Sequence, residues 1–232
     1  MIGIIVALEC EAEKVIEKFE NGTHFLLCGK KAVKGRLYGQ EAVLVISGVG
    51  KVNAALSTQA VIDNYSPRVA LNFGTAGGAN HSVEVFGYYL IDGACQYDFD
   101  ITAIEDVPIG YISAFDTVFF RTHTENLQFF KRAKLATADR FSNKSEDIST
   151  VNALGCSLRD MEGGAIAQVC AANGVPLIMI KGVTDIYDKP AKQYHENNKI
   201  VCSGFPDAVE KIMNALKDTD NNLSSRAEPL NQ

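Results

Sequence analysis

"RDMEGGAIAQVCAANGVPLIMIKGVTDIYDK", residues 159–189, reads as a helix stopped by Gly174, a short loop and a strand. "LIMIKGV" (177–183) is apolar almost without interruption, the pattern of a strand covered on both faces of a sheet. Three carboxylates, Asp160, Glu162 and Asp185, fall at the boundaries of these elements. The same order recurs upstream. "IGIIVAL" (2–8) is a second apolar run, and in the adjoining "ECEAEKVIEKF", Ala12, Val15, Ile16 and Phe19 recur at helical spacing.

Residues 25–48 alternate with a period of two and are punctuated by Gly29, Gly35 and Gly39, which predicts antiparallel strands or hairpins. "VGKVNAALSTQAVIDNY" (49–65) is helical in pattern and closed by Pro67, and the apolar "RVALNFG" comes next. Further strands are expected over 86–104, helices over "NLQFFKRA" (126–133) and "RDMEGGAIAQVCAANG", and an amphipathic helix over "FPDAVEKIMNALK" (205–217). From Asp218 the chain is polar and expected to be frayed or disordered. Residues 1–217 are thus read as one domain and 218–232 as a tail, without internal repeat or linker. Buried strands alternating with helices imply an α/β chain: a three-layer αβα sandwich around a mixed, largely parallel central sheet.

A net charge of −6 over 232 residues, with no basic run longer than Lys30–Lys31, argues against nucleic acid as a partner. Apolar residues at 47% and charged residues at 22% are the balance of a soluble globular protein. The N-terminus lacks a basic leader and a cleavage site, and no stretch approaches the roughly 18 apolar residues of a membrane span. Cysteines at 10, 28, 95, 156, 170 and 202 never form C-x-x-C, so free thiols in a reducing cytoplasm are expected. His24, His81, His123 and His195 show no metal-ligand spacing, and no G-x-S-x-G elbow occurs.

In open α/β sheets, ligands bind beyond the carboxyl ends of the strands, where loops converge and helix N-termini present free N–H groups. Glu9 and Glu11 follow the first strand, "FGTAGG" the second and Asp185 the third, so these groups are expected around one crevice. Each has an ordinary explanation as well: Glu162 suits the first turn of any helix, Asp185 could cap a loop, and Glu11 could be a solvated charge. Their common topological position favours function. "SGVGKVNA" fits neither phosphate-binding pattern, having no glycine five residues before Gly50 and Asn53 at the third glycine of G-x-G-x-x-G. "GTAGG" (74–78) reads as a glycine turn that exposes backbone N–H groups and leaves room for a ring or sugar.

With these residues, the chain resembles the 5′-methylthioadenosine/S-adenosylhomocysteine nucleosidases of the nucleoside phosphorylase superfamily from Met1 to about residue 217. The likeness is carried by "IGIIVALECEAE", "ISGVGKVNAA", "NFGTAGG", "YDFDIT" and above all "DMEGGAIAQV" followed by "KGVTD". "LRDMEG" and "VTDIYDKP" look closer to the plant-type branch. The resemblance implies hydrolysis of the N-glycosidic bond of methylthioadenosine, and of adenosylhomocysteine, to adenine and a thioribose. That chemistry needs an acid at the purine and carboxylate density near an oxocarbenium-like sugar.

By the same resemblance, Asp185 is the acid at adenine N7 and Glu11 activates the water. Glu162 would accept the ribose hydroxyls and Met161 pack on the sugar; Thr75, Ala76 and Gly77 would line the ribose and base site, Val49 touch the 5′ substituent and Phe141 stack on adenine. Lys181, counted with the substrate-binding residues, stands where relatives carry an arginine near the water. Asp160 replaces a glutamate, Ser142 an apolar residue, and segments 104–125 and 189–203, expected to border the 5′ substituent, match poorly. A homodimer in the cytoplasm, serving methionine salvage with neither cofactor nor metal, nucleic acid nor membrane, completes the implied picture.

Phosphorolysis is the nearest alternative. It would use an arginine just before the glycine segment, where this chain has Asn72, and Glu9 and Glu11 would repel phosphate. A nucleosidase for a related adenosine such as aminodeoxyfutalosine stays open. A non-catalytic nucleoside binder would have no reason to keep Glu11, Glu162 and Asp185 together.

Overall fold

The computed structural model describes residues 1–141, 144–187 and 194–225, with side chains through Lys217. Its sheet starts from β1 (Ile2–Val6), which runs parallel to both β4 (Gln40–Ile46) and β5 (Val69–Gly78). The hairpin strands β2 (Phe19–Leu27) and β3 (Lys30–Leu37) continue antiparallel from β4 to one edge. On the other side β5 pairs in parallel with β10 (Leu177–Ile186) and antiparallel with β9 (Leu158–Asp160). From β10 the ladder passes to β6 (Tyr88–Gln96) and β8 (Lys131–Thr137), then returns through β9 to β5, so five strands close a ring. A two-residue β7 (Phe120–Arg121) pairs with β6.

Strand alternation distributes the apolar residues to two cores. Ile5, Ala70, Leu177 and Met179 face α2 (Lys51–Tyr65) and α4 (Gly163–Ala172), which supply Ala54, Val61, Ile166 and Cys170. Ile4, Val6, Leu71, Phe73 and Ile180 face α1 (Glu9–Ile16) and α5 (Tyr194–Ser225), which supply Ala12, Val15, Phe205, Val209 and Ile212. That is the αβα sandwich. α3 (Ser145–Ala153) covers a smaller cluster around Cys95, Ala136 and Cys156. Each fully buried Ile, Leu or Phe contributes about 1.5–3 kcal/mol, which explains why β1 carries no polar residue.

Several elements differ from expectation. "NLQFFKRA" is not a helix: β8 begins at Lys131, with Ala133 and Leu135 turned into the core. Parallel pairing with β6 over seven residue pairs outweighs the weak helical pattern. Strand structure in 86–104 stops at Gln96. The helix read from Arg159 starts at Gly163, because Leu158–Asp160 joins the sheet between β5 and β8. "GTAGG" is no turn; its glycines are strand residues of β5 and none of the three has a positive φ. The terminal helix runs on through Ser225, beyond the boundary expected at Asp218, and residues 226–232 lie outside the described residues. No helix among the described residues is long and apolar enough to cross a membrane.

Candidate active site

β1, β5 and β10 are mutually parallel and end on the same side of the sheet, and there a crevice opens. Its walls include Glu11, Val49, Thr75, Ala76, Gly77, Phe141, Met161, Glu162 and Asp185, every predicted site residue except Lys181. The structure therefore brings the three carboxylates together. Glu9, by contrast, is turned outward into an exposed ion pair with Lys31 and is not among the lining residues.

Glu11 occupies the first turn of α1 and is 3% exposed. Its Oε2 accepts the Leu8 N–H at 3.1 Å, the reach-back half of a capping box. Its Oε1 accepts both the backbone N–H (2.7 Å) and the hydroxyl (2.8 Å) of Thr75. The bare Cα of Gly74 makes this approach feasible, since a Cβ there would stand 3.2 Å from Oε1. Burial pushes the Glu11 carboxyl above the usual range, with Thr75 and the Lys181 charge pulling the other way. A buried carboxylate with raised proton affinity is suited to take a proton from water.

Asp185 owes its direction to an irregularity in β10. The register with β5 runs Gly182–Thr75 and Val183–Ala76, then skips Thr184 so that Asp185 pairs with Gly77. An inserted residue of this kind re-aims the next side chain; without it Asp185 would point to the opposite face. Asp185 Oδ1 accepts the Thr184 hydroxyl at 2.7 Å, and Oδ2 lies 2.9 Å from Arg159 Nη2. Arg159, not singled out in the sequence, is 6% exposed and also lines the crevice. Its guanidinium lies against Gly77, where a Cβ would come within 2.8 Å of Cζ, and 5.7 Å from the centroid of the Phe141 ring.

Glu162 is the N-cap of α4, and its Oε1 accepts the Gly50 N–H at 2.8 Å. Gly50 is itself the N-cap of α2 with a φ of 100°, a conformation that favours glycine. The carboxylate thus ties two helix N-termini together at the crevice edge. Beneath them, Lys181 is 2% exposed and its Nζ lies 2.9 Å from Asp160 Oδ2. Asp160 also accepts the Thr137 hydroxyl and the Gly163 N–H, at 2.5 and 2.8 Å. Lys181 itself is not among the lining residues: an ammonium without water needs a buried counter-charge, and Asp160, which does line the crevice, supplies it. Burial alone would lower the proton affinity of Lys181, but Asp160, Glu162 and Glu11 outweigh it and raise it.

Burial, with Asp160 as the next cause, raises the Glu162 carboxyl from the ordinary 4.5 to about 7. The folded state therefore holds this proton more tightly than the unfolded chain, so the contribution to stability is complete below 4.5 and lost as pH rises through about 7. Urea unfolding at pH 4.5 and 7.5 is expected to show the wild type losing up to about 3 kcal/mol relative to Glu162→Gln. Equal pH dependence in the two proteins would contradict the assignment.

Tyr97, Arg140, Thr184 and Tyr194 also line the walls, none of them individually expected there from the sequence, together with Ala7, Leu8 and Asp160. Arg140 is held by Asp147, with Nη2 2.5 Å from Oδ1. Tyr194 packs edge-on to Phe141 at 5.9 Å and is the one described member of 189–203 in the lining; no residue of 104–125 reaches it. Ser142 lies outside the described residues. Asn72, at the position where phosphorolysis would use an arginine, is buried and donates to the Ile5 carbonyl at 2.9 Å.

Comparison with known proteins gives a consistent result. A family model described as the phosphorylase superfamily matches residues 1–216. A 5′-methylthioadenosine/S-adenosylhomocysteine nucleosidase of Bacillus cytotoxicus is 31% identical, over 93% of this chain and 99% of its own. The crystal structure of such a nucleosidase from Colwellia psychrerythraea in complex with adenine superposes with a TM-score of 0.85 at 28% identity, covering 93% of this chain and 95% of that one. The Neisseria meningitidis enzyme in complex with methylthio-immucillin-A gives 0.84 at 25% identity, covering 91% and 97%.

Proposed function

Because the chain belongs to the phosphorylase superfamily and, within it, to the 5′-methylthioadenosine/S-adenosylhomocysteine nucleosidases, we propose that its crevice hydrolyses the N-glycosidic bond of 5′-methylthioadenosine, and of S-adenosylhomocysteine, to release adenine. The observation that carries this reading is the convergence of Glu11, Glu162 and Asp185 on one crevice. Glu11 takes a proton from water as its oxygen bonds to the anomeric carbon. The C1′–N9 bond breaks, and Asp185, protonated from solvent once the purine has displaced the guanidinium of Arg159, gives that proton to N7 of the departing base. Thr184 and Arg159 orient the Asp185 carboxyl, so the purine has to take the place of the guanidinium at Oδ2 before proton transfer. Glu162 accepts the ribose hydroxyls with the oxygen that Gly50 leaves unused.

Met161 packs on the sugar, Thr75, Ala76 and Gly77 form the wall behind it, Val49 meets the 5′ substituent and Phe141 covers the base. Lys181 acts from below, as the positive charge that Glu11 and Glu162 share. Water rather than phosphate is the nucleophile in this reading, since the arginines of the wall, Arg140 and Arg159, are both engaged by carboxylates. Assembly as a homodimer is supported by the exposed apolar residues Val52 and Leu56 on one face of α2, beside Val49. Cytoplasmic action in methionine salvage is part of the same proposal. Incubation with methylthioadenosine in phosphate-free buffer is expected to yield adenine and free methylthioribose. A requirement for phosphate, with methylthioribose 1-phosphate as product, would replace hydrolysis with phosphorolysis.

A further inference from the structure

Holding Asp185 in place does not by itself account for the way the Arg159 side chain is built into the crevice. It lies opposite Gly77 in the antiparallel register of β5 and β9, and only a glycine there leaves room for its guanidinium. It is 6% exposed, bonds Asp185 through Nη2, and keeps a buried Nε–H without any partner. A buried donor is normally hydrogen-bonded, and the residue that carries this one lines the crevice.

On a purine, N7 and the C6 substituent share one edge. Adenine offers there an acceptor and an amino donor, whereas a 6-oxopurine offers two acceptors, N7 and O6. A guanidinium has donors only, which mismatch the amino group and match O6; arginine on the N7/O6 edge is the commonest specific contact in double-stranded DNA. Resting on the nucleosidase reading above, we propose that Arg159 is a specificity residue that admits a second leaving group, the 6-oxopurine counterpart of the adenine substrate. Its guanidinium moves from Asp185 Oδ2 to O6 of the base while Asp185 serves N7. The bond changes stay those of hydrolysis. The C1′–N9 pair goes to the purine, water oxygen bonds C1′, its proton goes to Glu11, and hypoxanthine departs with a proton from Asp185. The guanidinium also offsets the charge that develops on O6 as the bond breaks.

The test compares 5′-methylthioinosine with 5′-methylthioadenosine on the purified full-length enzyme, separating hypoxanthine from adenine by chromatography. Wild type is expected to release hypoxanthine with a kcat/KM within about 100-fold of adenine release, a gap that one good bidentate contact can span. Arg159→Met should lower the hypoxanthine-to-adenine ratio of kcat/KM by about 10- to 100-fold, and Arg159→Lys should recover part of it. Calorimetric binding of free hypoxanthine and adenine gives a readout independent of turnover, and thermal melts show which variants are folded. Adenine release without hypoxanthine release by wild type would overturn the proposal and leave the nucleosidase intact, as would an unchanged ratio in a folded Arg159→Met. Release of neither base would sink the nucleosidase reading instead. Hypoxanthine binding would then still decide the role of Arg159: binding lost in Arg159→Met supports it, and absent or unchanged binding ends it.

Discussion

Asp185→Asn is expected to lower kcat for adenine release by about 10²–10⁴-fold, the usual effect of removing one general acid. The amide has no proton to give N7 at a useful rate, although it can still form a hydrogen bond to the ring. It can keep its local contacts, with the carbonyl accepting from Arg159 Nη2 and the amino group donating to the Thr184 hydroxyl, which rotates to accept. What it cannot keep is the counter-charge. Arg159 is 6% exposed, and leaving it unpaired costs about 3–5 kcal/mol of stability. Activity should therefore be measured well below the lowered melting temperature, with circular dichroism to verify folding. A folded variant with near wild-type kcat would remove Asp185 from the acid role.

Glu11→Gln should reduce kcat by a similar factor of about 10²–10⁴ through the opposite half of the reaction, the activation of water. The side chain is fastened from two directions, by Thr75 at Oε1 and by the Leu8 N–H at Oε2. A glutamine keeps the Thr75 side but points its amino group at the Leu8 N–H, leaving a buried donor unsatisfied at about 1–3 kcal/mol. Because burial holds the Glu11 carboxyl above its ordinary range, the acid limb of the wild-type pH–rate profile should lie at higher pH than that of an exposed glutamate. Affinity for a transition-state-like inhibitor should survive in Glu11→Gln. Loss of that affinity along with turnover would mean that the residue only holds α1 against β5.

The convergence of Glu11, Glu162 and Asp185 is legible in the sequence because it depends on topology alone: apolar runs mark parallel strands, and the residues at their carboxyl ends gather on one side of the sheet. Arg159 is not legible in this way. Its partner Gly77 is adjacent only through the antiparallel pairing of β5 with β9, and nothing in a single sequence announces a contact across some eighty positions. The setting of Lys181 is hidden for a related reason, since its buried counter-ion Asp160 comes from a different element. The skipped register at Thr184 decides where Asp185 points, and strand periodicity alone would aim it wrongly. "NLQFFKRA" misleads because two adjacent phenylalanines and a basic pair satisfy a helical pattern until β6 offers a parallel partner.

β5 takes neighbours from distant parts of this sequence: β1, more than sixty residues before its own start, and β9 and β10, roughly eighty residues or more after its own end. A nascent polypeptide halted on the ribosome before residue 177 can already clamp Glu11 to Thr75, yet it lacks the strand that brings Asp185. The catalytic chamber is consequently completed only once β10 and the long helix behind it have left the exit tunnel.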